Sequence, residues 1–207
     1  MSVEPGYIHS YCRIRNRAIT GPSGILYQGD AASSLDDFLE QAYVWTQSGY
    51  PKFYKMDRLS KLGFLAAEVL LKGRKLSAES GPEAVALVLS NAHASLDTDV
   101  RYFESTKAMA SPALFVYTLA NIVAGEICIR HGFKGENAFF IARTFDPRLL
   151  TTYTAMVLAQ PGTQYCLTGW VDVMDDHHDV FLYLAGKTKG PGALEHSEKQ
   201  LSELYLV

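Results

Sequence analysis

The chain has 207 residues, enough for one sizeable domain around a single core, and its 48% hydrophobic and 20% charged content is that of an ordinary globular protein. A net charge of −3 argues against nucleic acid or an anionic membrane as a partner, and no apolar stretch approaches the roughly 20 residues needed to span a bilayer. The first ten residues, MSVEPGYIHS, lack the basic and apolar segments of a secretory signal. Cys12, Cys128 and Cys166 are too scattered for a disulfide framework, so the expectation is a cytoplasmic protein with reduced thiols.

Residues 7–15 alternate as a first strand. Gly21-Pro22-Ser23-Gly24 and residues 29–34 read as loop. Ser34-Leu35-Asp36-Asp37 opens a helix with acids in its first turn, running to about Ser48 ahead of Gly49 and Pro51. A second helix starts from Asp57 as N-cap, carries Leu59, Leu62, Ala66, Val69 and Leu70 on one face, and ends near Gly73. Residues 84–92 form a short apolar run that fits a strand buried on both sides. Residues 97–107 read as a short helix, and residues 115–131 as a longer one capped by Gly132. Residues 138–142 are another short buried strand. Asp146-Pro147 opens a helix that stops before Pro161-Gly162. In that helix Leu149, Leu150, Tyr153, Met156 and Val157 form an apolar stripe, with Arg148, Thr151, Thr152 and Thr154 opposite. The expectation is a helix covered on one side only, or covered on the second by something polar. Residues 165–173 and 180–185 fit a hairpin with residues 175–179 as its loop. A flexible segment, residues 187–192, leads to a final helix with Leu194, Leu201 and Leu204 on one side and a Glu195–Lys199 pair.

Helices separating strands imply a parallel sheet, and the closing hairpin makes it mixed. The fold class is therefore α/β, with a five-stranded mixed sheet and helices on both faces. Its domain covers residues 1–186, followed by a linker and C-terminal helix over residues 187–207. Asp175-Asp176-His177-His178-Asp179 is the most metal-like cluster, but adjacent histidines point in different directions and a short loop is ordinarily solvated, so no metal is expected. His131 lies in the last turn of a helix, where a cation is favourable. His93 ends a strand, where ligands bind in parallel sheets, although a structural histidine is the simpler reading.

Three segments carry a resemblance. The first is Lys55-Met56-Asp57-Arg58-Leu59-Ser60-Lys61-Leu62, followed by Ala66-Ala67. The second holds Ser111-Pro112, Phe115, Tyr117-Thr118, Asn121, Ala124-Gly125, Ile127, Ile129, His131-Gly132, Lys134-Gly135 and Asn137, and the third is Leu167-Thr168-Gly169-Trp170-Val171-Asp172. In order and spacing, over residues 7–186, the chain resembles the N-terminal half of the beta-ketoacyl synthases.

The resemblance implies half of a thiolase-like fold. It also places the family's nucleophilic cysteine near Thr144, where Arg143-Thr144-Phe145 stands instead. No thiolate forms there, and a threonine hydroxyl needs an adjacent base. The glycines expected after the strand at residues 84–92 are replaced by Ser90-Asn91-Ala92-His93, and the C-terminal half that supplies two catalytic histidines has no counterpart. The implied substrate-binding positions are Arg143, Thr144 and Phe145, with no catalytic residue and no cofactor. The implied dimer interface is Phe139, Phe140 and Ile141, because the corresponding family strand pairs antiparallel with its copy across a two-fold axis. The expectation is a catalytically incomplete ketosynthase-like subunit in a bacterial fatty-acid or polyketide-type pathway, aryl-polyene synthesis among them. It would form a homodimer or a heterodimer with a full-length ketosynthase, and its role would be to pair with that ketosynthase, to bind an acyl carrier protein or to shape an acyl-chain tunnel. The alternatives are an acyl-transfer or condensing enzyme that uses a non-cysteine residue or a complementing partner chain, and an acyl-ligand binding module.

Overall fold

The computed structural model describes residues 6–206. All five expected strands form: β1 (Tyr7–Arg15), β4 (Val85–Asn91), β5 (Asn137–Ile141), β6 (Tyr165–Met174) and β7 (His177–Gly186). Three short strands extend the sheet beyond that reading: β2 (Ala18–Gly21), β3 (Gly24–Gln28) and β8 (Leu194–Glu195). The order is β3-β2-β1-β7-β6-β4-β5, with β8 paired to β1. β4 is parallel to β5 and to β6, while β6–β7, β7–β1 and β1–β2 are antiparallel, so the sheet is mixed. The Gly21–Gly24 segment is the turn of the β2–β3 hairpin.

Helices cover both faces. On one face α1 (Leu35–Thr46), α2 (Arg58–Leu70) and α6 (Ile122–His131) pack on Cys12, Leu87, Leu89, Leu167, Val171, Leu182 and Leu184. On the other, α7 (Pro147–Ala159) and α8 (Glu198–Leu206) pack Leu150, Val157, Leu158 and Leu201 on Ala86, Val88, Cys166, Phe181 and Tyr183. The alternation along β4, β6 and β7 is the two-residue period of a strand buried on both sides. On β1, Ile8 and Cys12 face opposite cores because a register shift between Ile8 and Ser10 turns the pleat.

Two glycines mark close approaches. A Cβ at Gly63 would lie 2.4 Å from Val123 Cγ2, so Gly63 lets α2 and α6 meet. A Cβ at Gly169 would lie 2.0 Å from the Phe181 carbonyl oxygen, across the β6–β7 ladder.

Four expectations need correction. The single helix over residues 115–131 is broken into α5 (Pro112–Val116) and α6, with Tyr117 at the break donating its hydroxyl to the buried Glu126 carboxylate at 3.0 Å. Between them in sequence and β4 lies α4 (Leu96–Thr106). α2 is buried along Leu59–Ala67 rather than on one face, because it packs on α1, α6 and the sheet together. The last helix begins only at Glu198. Leu194 and Glu195 instead extend the sheet beside Tyr7 and Ile8, and Lys199 pairs with Glu203 at 3.9 Å rather than with Glu195. On α7 the fully buried Thr154 donates to Thr168 Oγ1 at 3.3 Å while Met156 is exposed, so the stripe is rotated from the one the sequence suggests. A short helix, α3 (Leu76–Ser80), completes the set.

Candidate functional site

Ligands of open α/β sheets bind beyond the carboxyl ends of parallel strands. Here that end is built by the segments leaving β4 and β5 and by the last residues of β6.

Past β4 the chain turns sharply. Asn91, wholly buried, clamps Ala94 from both sides: Oδ1 accepts the Ala94 amide at 2.9 Å, and Nδ2 donates to the Ala94 carbonyl at 2.8 Å. Ala94 has φ of 50°, a left-handed conformation that a Cβ disfavours by about 1 kcal/mol. Asp172 of β6 holds the same turn from the neighbouring strand. Its Oδ1 accepts the amides of Ala92 (3.0 Å) and His93 (3.1 Å), and its Oδ2 accepts His93 Nδ1 at 2.9 Å. The Asp172 side chain is 6% exposed and that of His93 is 38% exposed. With the proton on Nδ1 directed at the carboxylate, the Nε2 lone pair of a neutral His93 is left available. Asp172 stands at the end of the resemblance segment and carries no signal of its own. Its partnership with His93 follows only once β4 and β6 are known to be neighbours.

Past β5, Arg143 and Thr144 are exposed and Phe145 is half-buried. Phe145 stacks on Tyr205 of α8 (4.0 Å between centroids, 10° between planes) and meets Phe181 edge-on at 5.6 Å. The three positions implied to bind substrate therefore part company: Phe145 packs under the C-terminal helix while its two neighbours face solvent. Asp146 caps α7 by accepting the Leu149 amide at 2.9 Å, with Pro147 at the first helical position. A carboxylate thus already occupies the positive end of the helix dipole. Tyr205 donates its hydroxyl to Asp179, which also receives Arg15, and Arg15 donates to the Tyr205 carbonyl at 2.6 Å. Burial, and then the hydrogen bond to Asp179, push the Tyr205 hydroxyl well above its usual range.

The implied dimer residues lie on β5, which is an edge strand with half-buried or exposed residues rather than the buried strand expected. Phe139 packs on the first core, and Phe140 meets Tyr153 edge-on at 4.8 Å in the second. Ile141 is 64% exposed. Further exposed apolar residues are Leu96, Val100 and Phe103, at helical spacing on α4, and Phe115 and Val116 on α5, which packs on α4 through Tyr102 and Phe115.

The metal-like cluster disperses, because the hairpin turn is shorter than expected and residues 177–179 are already in β7. The Asp175 amide binds Asp97, Asp176 pairs with Arg17 at 2.6 Å, Asp179 takes Arg15, and His178 is buried against Phe38. Among the described residues no group of three or more His, Cys, Asp or Glu side chains is arranged to hold a metal ion. His131 lies 3.3 Å from the partly buried Glu68 carboxylate, which Arg130 also grips at 2.8 Å. Burial pushes the Cys12 and Cys166 thiols up to about 12, which leaves both inert.

No family model matches the chain, and no curated protein matches it. Solved structures do. The ishigamide ketosynthase/chain length factor superposes with a TM-score of 0.61 at 16% identity, over 92% of this chain and 64% of that one. The fold is thiolase-like. A ketosynthase (ApeO) in complex with its chain length factor (ApeC) from Xenorhabdus doucetiae gives a TM-score of 0.57 at 13% identity, over 90% of this chain and 80% of that one. The complex AntDE:AntF, a type II polyketide acyl-carrier protein with its ketosynthase bound to the hexaketide, gives 0.58 at 14% identity, over 89% and 63%. The chain spans less than two thirds of the matched chains in the first and third of these. At these identities the likeness is one of fold.

Proposed function

We propose that the chain is a ketosynthase-like subunit that does not itself condense acyl groups and that pairs, in the cytoplasm, with a full-length ketosynthase of a fatty-acid or polyketide-type pathway served by an acyl carrier protein. The observation that carries this reading is the free edge of β5. An edge strand with apolar side chains and no proline or lysine is an association hazard unless a partner covers it. Ile141 stands exposed on that edge, and α4 and α5 expose a second apolar surface. The three structural neighbours described above are ketosynthase systems, two of them with a chain length factor and one with a carrier protein, which supports a partner of the same fold. The segment at the nucleophile position, residues 142–146, contains no cysteine, which supports a role other than condensation.

The test is light scattering on the chain alone and mixed with a ketosynthase from the same gene neighbourhood. A one-to-one complex is expected, and Ile141→Asp should weaken it at least tenfold while leaving the fold intact, because Ile141 contributes little to the core. Phe140→Asp is less informative, since Phe140 also packs on Tyr153. A well-behaved monomer at tens of micromolar in both samples, or a complex indifferent to Ile141→Asp, would overturn the reading. A symmetric dimer of this chain alone would keep the surface and replace the partner.

A further inference from the structure

We propose that His93, oriented by Asp172, is a general base that hydrolyses an acyl thioester at the carboxyl end of β4. The thioester class rests on the reading above; the base itself rests on the turn that presents it. That turn is over-determined. Two buried polar side chains, Asn91 and Asp172, together tie down the amides of Ala92, His93 and Ala94 and the carbonyl of Ala94. The reward for holding Ala94 at φ of 50° is a fixed position for the residue before it.

His178 and His196 are buried, whereas the His93 side chain is 38% exposed with Nδ1 bound to a buried carboxylate. That arrangement orients the ring through Nδ1 and leaves Nε2 as the nitrogen that can take a proton from water. The apolar surface of α4 begins at the same turn. The Leu96 amide donates to the His93 carbonyl at 2.9 Å, and Leu96 and Val100 are exposed from there. In this proposal the acyl chain lies on those two side chains with its carbonyl at the base.

The step balances with water alone. Nε2 takes a proton from water as its oxygen bonds to the thioester carbonyl carbon. The carbon–sulfur bond then breaks, and the leaving thiolate takes the proton from the imidazolium, giving a carboxylic acid and a thiol.

The test uses the full chain and S-hexanoyl-N-acetylcysteamine in water enriched in oxygen-18, with hexanoate measured by mass spectrometry. Hexanoate carrying one heavy oxygen should form faster than with imidazole at the same concentration. His93→Gln should lower kcat/KM about 100-fold or more. Asp172→Asn tests the positioning role: kcat should fall about tenfold or more with KM unchanged, whereas a merely structural part would move both or neither. Circular dichroism checks that each variant is folded, and if Asp172→Asn is not, His93→Gln still decides. Hydrolysis no faster than imidazole, or unchanged in His93→Gln, overturns the proposal. A chain that hydrolyses but never pairs with a ketosynthase overturns only the pairing reading, and one that pairs but does not hydrolyse overturns only this one.

Discussion

His196 shows how a single buried side chain weakens the fold in acid, as burial lowers the pKa of His9, His131 and His178 too. It is 2% exposed and shares a 3.0 Å hydrogen bond through Nε2 with the fully buried Tyr183, while its Nδ1 has no partner among the described residues. Desolvation pulls its pKa down to about 4, from 6.5 in an unfolded chain. Above pH 6.5 both states are neutral and His196 costs nothing. Between 6.5 and 4 the unfolded state takes up a proton that the folded state refuses, so stability falls with pH and levels off below 4. The loss is of order 3 kcal/mol at most. Urea midpoints measured at pH 7 and pH 4.5 should differ in the wild type and differ much less in His196→Gln; equal pH dependence in the two would refute the assignment. None of this was legible in the sequence, where His196 lies in a stretch read as the edge of a helix. The same holds for the His93–Asp172 pair. His93 was visible as a residue at a strand end, but its partner lies 79 positions away and is defined only by the β4–β6 pairing.

At the scale of elements, the helices that open on a capping residue are legible in the sequence, whereas the short marginal strands and the break within the helix expected over residues 115–131 are not. α1, α2 and α7 begin at the caps the sequence advertises, Ser34, Asp57 and Asp146, each accepting an amide three residues on. β2 and β3 were missed because four- and five-residue strands at a sheet margin have too few residues to declare an alternation. The segment at 194–195 was read as helix because leucine spacing alone does not reveal that β1 has a vacant flank there. α8 packs beside α7 on the same face of the sheet, with Leu201 buried and Tyr205 anchored by stacking and by Asp179, while Met156 of α7 stays exposed. Tyr205→Ala should therefore cost about 2 kcal/mol, and Tyr205→Phe, which keeps the ring on Phe145, distinctly less. A thermal or urea melt of the two variants decides this, and equal losses would show that the hydroxyl rather than the stack holds α8.

For the whole molecule the expected behaviour follows from what stands at the head of α7. A capping carboxylate and a stacked phenylalanine stand there, and on the proposed function the purified chain should not condense malonyl and acyl carrier-protein thioesters. The condensing-enzyme inhibitor cerulenin should leave no adduct on residues 140–148 by peptide mass mapping; robust condensation by the chain alone would refute the proposed function. The fold class and the mixed sheet were legible because alternating strands and helices leave few topologies open. The position of β1 has a further consequence for biosynthesis. Its main partner is β7, with Tyr7 opposite Gly186 and Ile14 opposite Val180. At typical translation rates the ribosome needs on the order of ten to thirty seconds to make the intervening chain. Throughout that interval the first-made strand has only its short hairpin neighbour, and the middle of the sheet cannot close until nearly all of the described chain has left the exit tunnel. Chaperone occupancy on nascent chains should accordingly persist until β7 emerges, and slowing translation late in the message should prolong it more than slowing it early.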